Sequence, residues 1–145
     1  MRLLNFTFLT PLNEVVVNAK SAKWDLHNLA KYSGMTVKSD GSTTLEWVVL
    51  PNPHRPDDPS VRGCAFVFRG LRLIKVSGRD CELPKSEDLT IHGISCVPPQ
   101  NYRYNKIDNV IKEPSLEMPI HLLFAFRGGL TIEIDAEEVE FVLRD

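Results

Sequence analysis

The 145-residue chain predicts a mostly β fold, either an antiparallel two-layer sandwich or one strongly curved sheet, with at most one helix. Three observations carry that expectation. Apolar and polar residues alternate over several short stretches, the period of two that marks a half-buried strand. Gly, Asn, Asp and Pro punctuate those stretches at short intervals. The phrase Phe-x-Phe-Arg-Gly followed by Leu occurs twice, from Phe66 to Leu71 and, with Gly129 inserted, from Phe124 to Leu130.

The elements follow in chain order. Leu3–Leu9 reads as a strand with Leu4, Phe6 and Phe8 on one face, and Asn13–Ala19 is a β-branched run of the same kind. The stretch from Ser21 to Gly34 supports two readings. It is a helix with Ser21 as N-cap and Gly34 as stop, or a strand through Ala22, Trp24 and Leu26 followed by a loop. Ser42–Leu50 is rich in β-branched and aromatic residues and reads as a strand. Pro51–Gly63 holds four prolines, which exclude a central strand or a helix.

The two repeated phrases predict paired hairpins at 64–77 and 122–135. In the first, Cys64, Phe66 and Phe68 alternate into a turn at Arg69-Gly70, and Leu71 to Val76 return. In the second, Arg127-Gly128-Gly129 turns the chain, because glycine reaches positive φ without steric penalty. Gly78-Arg79-Asp80 marks a turn, and Asp88–Ser95 a less regular strand. Cys96–Pro119 is a long connection with a short helical turn near Asn109–Glu113, and it is expected to share one end of the sheet with the proline loop. Leu130–Ile134 and Val139–Leu143 read as two antiparallel strands joined near Asp135–Glu137. Phe66, Phe68, Phe124, Phe126, Ile132 and Phe141 are the expected core, together with Trp24 and Trp47, and residues 1–145 are read as one domain.

Composition narrows the function. Hydrophobic content of 43% and charged content of 25% are those of a soluble globular protein. No apolar run is long enough for a membrane span, and no small-residue cleavage site follows the N-terminal segment, so no signal peptide is expected. Cys64, Cys81 and Cys96 are an odd count at wide spacing, which suggests buried thiols in a reducing cytoplasm. A net charge of −2 argues against a dedicated nucleic-acid binder. The charge is uneven, however. Arg2, Lys20, Lys23, Lys31 and Lys38 outnumber Glu14 and Asp25 at the start, while Glu133, Asp135, Glu137, Glu138, Glu140 and Asp145 face only Arg144 at the end. Either these are solvated strand faces, or the last segment is an acidic surface for a basic partner.

Chemistry-bearing motifs are scarce. His27, His54, His92 and His121 have no ligand at a familiar metal spacing, and no nucleotide, nucleophile-elbow or zinc-protease pattern occurs, so no cofactor is expected. Glu133 and Asp135 share a strand face ~7 Å apart, a separation that would suit a hydrolytic pair. His54, Arg55 and Asp57 form an alternative polar group in the proline loop. Tyr102, Arg103 and Tyr104 combine aromatic and basic character, which suits a protein interface better than base stacking in an acidic chain.

The stretches "FVFRGLRLI", "DLTIHGIS" and "LLFAFRGGLTIEIDAEEVEFVL" resemble small β-rich bacterial domains of uncharacterised function, some of them immunity-protein-like. The resemblance covers residues 64–145. It implies a domain that binds a protein and needs no catalysis, and it transfers no residue role. The expected function is therefore a non-enzymatic, immunity-like protein binder. Its surface would be Glu133, Asp135, Glu138 and Glu140 with the Tyr102–Tyr104 segment. The alternative is a small-ligand-binding or hydrolytic domain with a site between loops 51–63 and 96–119.

Overall fold

A computed structural model describes residues 1–8, 14–20, 22–51, 60–97 and 120–145. Ten strands run in the order β1 (Arg2–Leu4), β2 (Phe6–Phe8), β3 (Val16–Ala19), β4 (Ala22–Asp25), β5 (Ala30–Val37), β6 (Thr43–Val49), β7 (Gly63–Ser77), β8 (Ile91–Val97), β9 (His121–Phe126) and β10 (Thr131–Arg144). Among the described residues, one helical turn, α1 (Leu26–Leu29), lies between β4 and β5, and a 3₁₀ turn spans Lys85–Leu89. The larger sheet has the order β5-β6-β7-β10-β9-β8, and the smaller is β2-β3-β4. All pairings are antiparallel except that of β1 with β10.

The larger sheet curls into a half-barrel. Its two ends approach each other: the Tyr32 ring on β5 lies 4.8 Å from that of Phe126 on β9. Lys31 Nζ donates to Thr90 Oγ1, just before β8, at 2.6 Å. The small sheet packs against the inside of this curl. Phe6 of β2 meets Phe66 at 5.4 Å and Phe141 at 6.2 Å, so both sheets share one core. Every residue expected in that core is buried.

The sequence's hairpins are only half realised. β9 and β10 form the expected hairpin around Arg127–Gly129, with Gly129 at φ 82°. The first phrase does not turn. β7 runs unbroken from Gly63 to Ser77, and β10 runs unbroken from Thr131 to Arg144 through the expected Asp135–Glu137 joint. The two pair with each other along their whole length. The glycine and the broken alternation mark a β-bulge, because the register slips by one residue between Leu73↔Asp135 and Leu71↔Ala136, leaving Arg72 as the extra residue. β10 changes phase there, from Ile132 and Ile134 to Val139 and Phe141, while the extra residue lets β7 keep Phe66, Phe68 and Ile74 in one phase. Phe66↔Phe141 and Phe68↔Val139 therefore face the core on one side of the bulge, and Ile74↔Ile134 on the other.

Two further stretches differ from expectation. Leu3–Leu9 is not one strand, since Asn5 adopts φ 56° and sends β1 to the large sheet and β2 to the small one. Asparagine tolerates this left-handed geometry, and here its Oδ1 also accepts from Phe141 N at 3.1 Å. From 22 to 37 neither single reading holds: the chain is strand, one helical turn, strand. Asp25 caps the turn, its Oδ1 accepting from His27 N and Asn28 N, both at 3.1 Å. Gly34 lies beside a bulge in β5 and stops no helix.

Candidate functional site

The carboxylates singled out on β10 stand on its outer face, but none is left alone. Glu133 Oε1 is 2.7 Å from His121 Nδ1, and Asp135 Oδ2 is 3.5 Å from the other ring nitrogen of the same histidine. The imidazole fills the gap in which a hydrolytic pair would hold substrate or water. Arg72, thrown out by the bulge, donates from Nε and an Nη to Asp135 at 2.8 and 2.7 Å, and from that Nη to the Ala136 carbonyl at 2.8 Å. Burial alone would raise the Asp135 pKa. The Arg72 hydrogen bonds, with the charges of His121, Arg72 and the Met1 amino group, outweigh it and hold the carboxyl below its usual range. The same hydrogen bonds raise the pKa of Arg72.

Farther along, Glu138 pairs with Arg2 at 2.7 Å and Arg69 at 3.7 Å, and Glu140 pairs with Arg69 at 2.9 Å. Arg144 pairs with Glu46 on β6. The acidic C-terminal segment is therefore a row of ion pairs between neighbouring strands, and much of its charge is compensated within the molecule. Among the described residues, no group of three or more His, Cys, Asp or Glu side chains is placed to hold a metal ion.

The same neighbourhood contains an open edge. β6 pairs with β7 only from Gly63 to Phe68. The β5–β6 turn ends the β6 line at that point: Asp40 accepts from Ser42 N and Oγ at 2.8 and 2.7 Å, and Gly41 takes φ 78°. From Arg69 to Ser77, β7 keeps β10 on one side and, among the described residues, pairs with no strand on the other. Leu71 and Ile74 are half-buried against the core there, while Leu73 is 40% and Val76 53% exposed. A depression of about 360 Å³ opens where this free edge begins, lined by Lys38, Asp40, Ser42, Val67, Arg69 and Gly70. A wider one of about 570 Å³ lies at the end of the small sheet, over Leu3, Phe6 and Ala19 and between Lys20 and Lys23.

Glu133 and Asp135 are brought together with His121, and Glu138 and Glu140 with Arg69. Tyr102, Arg103 and Tyr104 lie outside the described residues, as do His54, Arg55 and Asp57 and most of both long loops. His121 and Arg72 were not singled out from sequence. For His121 a signal existed, since the hairpin register that pairs Ile134 with Leu122 brings residue 121 beside Asp135. For Arg72 there was none, because its position depends on the bulge.

The chain matches no known family, no curated protein and no solved structure. Among the described residues, no helix is long and apolar enough to cross a membrane.

Proposed function

We propose that this chain is a non-enzymatic protein-binding domain of the cytoplasm, in keeping with the immunity-like resemblance of residues 64–145. One observation carries the proposal: among the described residues, β7 has no strand on its second edge from Arg69 to Ser77, with Leu73 and Val76 exposed along it. An unpaired edge presents backbone donors and acceptors to any extended chain, and natural recognition uses such edges for strand addition. The charge rows of β10 support the same view. A catalytic carboxylate needs access to substrate, whereas the Glu133–His121–Asp135 group is closed on itself and the His121 side chain is 9% exposed. With Glu138 and Glu140 engaged by arginines, the binding surface shifts from the acidic face to the neighbouring edge.

The test is affinity capture of the tagged protein from its source cells at moderate salt, read by mass spectrometry, beside a Leu73→Lys/Val76→Lys variant. Both positions are exposed, so the variant is expected to keep its fold. One stoichiometric partner, lost from the variant, is the expected result. A wild-type protein that brings down no partner overturns the proposal. A partner held equally by both proteins moves the surface elsewhere, and Glu138→Lys/Glu140→Lys then tests the acidic face.

A further inference from the structure

Resting on that binding role, we infer that the open edge of β7 takes an extended segment of a partner protein whose residues alternate between acidic and apolar. The backbone is already prepared from Leu73 to Ser77, where regular pairing with β10 on the other side holds it extended beyond the bulge at Arg72. An incoming strand has little left to order on this side of the contact.

The side chains specify the chemistry of the segment. Between Arg69 and Arg79 the chain carries Arg69, Arg72, Lys75 and Arg79 and no acid. Arg69, Arg72 and Arg79 each have a carboxylate partner, and the charge of Lys38 acts on Asp40, whereas Lys75 forms no ion pair among the described residues. On its satisfied edge this stretch meets an acidic and apolar strand: Val76 opposes Ile132, Lys75 opposes Glu133, Ile74 opposes Ile134, and Leu73 opposes Asp135. A strand on the free edge meets the same rows. Apolar residues are wanted opposite Ile74 and Val76, and an acid opposite Lys75, since cross-strand pairs of opposite charge stabilise and like charges destabilise. Where the free edge begins, the depression holding Lys38 and Arg69 can seat one more acidic side chain, and the Asp40 within it is already engaged by Ser42.

The same charges argue against a second copy of this chain as occupant. Two β7 edges meeting antiparallel about a two-fold axis between Leu73 and Ile74 would set Arg72 against Lys75 of the other copy. Lysine on an edge strand deters such pairing, and an acidic partner converts the deterrent into selectivity.

The probe is a blocked decapeptide alternating glutamate with valine and threonine, compared with its lysine-for-glutamate counterpart. Binding is read by fluorescence anisotropy and the site by amide hydrogen exchange. The glutamate peptide is expected to bind at least tenfold more tightly than the lysine peptide. It should slow exchange within residues 69–77 about tenfold, and Lys75→Glu, which sets like charges opposite each other, should lose both effects. Equal binding of the two peptides, protection confined to other strands, or a peptide-free dimer protected at 69–77 each overturns the inference. Because exchange is measured on the wild-type protein, the test survives a variant that folds poorly. Edge protection by the peptide without any cellular partner sinks the binding role alone. A cellular partner retained by Leu73→Lys/Val76→Lys, with no edge protection, sinks this inference alone.

Discussion

At the scale of single residues, burial decides which reactive groups can react. Cys64 and Cys96 are buried and Cys81 is exposed, and none of the three forms a disulfide. Burial pushes the Cys96 thiol up to about 11, so little thiolate forms near neutral pH. Native protein treated with iodoacetamide at pH 8 should be alkylated at Cys81 alone, with Cys64 and Cys96 following only in denaturant. Mass spectrometry of the native digest checks this, and early labelling of Cys96 would show that β8 opens. Asp135 gives a pH signature. Its folded pKa lies below the unfolded value of about 3.9, so its stabilisation is complete above that value and is lost as pH falls through the folded pKa. The groups facing it are Arg72, His121 and the Met1 amino group, with Glu133 on the far side of the histidine. Asp135→Asn should lower stability at pH 7 by about 1 kcal/mol, since solvent screens the half-exposed Arg72. The difference from wild type should shrink as pH falls below the unfolded value, because protonation then removes the charge that Arg72 holds. Thermal melts across that range decide, and a constant difference would mean that the loss is one of packing.

At the scale of elements, the two Phe-x-Phe-Arg-Gly phrases show how much a sequence can say. Alternation identified most strands, and the buried phenylalanines followed from it. A glycine beside a break in alternation, however, is common to a turn and a bulge, and only the partner strand distinguishes them. Gly70, at φ 64°, lies where the bulge forms, while Gly129, at φ 82°, turns a hairpin. The difference is fixed by β10, whose own phase change sits opposite the first glycine. Local pattern therefore revealed Glu133 and Asp135 but neither Arg72 nor the open edge, because both depend on where β6 stops and where the register slips. The second phrase is also held by tertiary contacts. Gly128 N donates to Glu87 O at 3.2 Å, Asp80 N donates to Gly128 O at 2.8 Å, and Arg127 Nε lies 2.9 Å from Glu87. A Cβ at Gly128 would come within 3.0 Å of Asp88 Cγ and closer still to Oδ1, a buried oxygen with no hydrogen-bond partner. Gly128→Ala should therefore cost about 1–3 kcal/mol, whereas Gly78→Ala, with nothing within 4 Å of its Cβ, should be close to neutral. Urea titrations of both variants check this. Equal stability would mean that Asp88 swings aside freely.

At the scale of the whole molecule, one long closure joins the two sheets. β1 lies parallel beside β10, on the side where β9 pairs only from Thr131 to Ile134, and Arg2 reaches Glu138 across a separation of 136 residues. Asn5 then turns the chain so that Phe6 completes the aromatic group of Phe66 and Phe141. The β9–β10 hairpin can form locally, but the β1 pairing must wait for the rest of the sheet, because closing a long loop costs entropy before any contact rewards it. A fold dominated by such distant pairings is expected to refold in milliseconds to seconds. The order of events can be tested at Asn5. Asn5→Ala places alanine in a left-handed conformation and removes the acceptor for Phe141 N, a loss of about 2 kcal/mol from the two effects. If β1 docks after the transition state, nearly all of that loss appears as faster unfolding, by about 30-fold, with the refolding arm of the chevron unchanged. Slowing of refolding by a comparable factor would instead place the β1–β10 closure in the folding nucleus. The half-barrel would then form around its N-terminal strand.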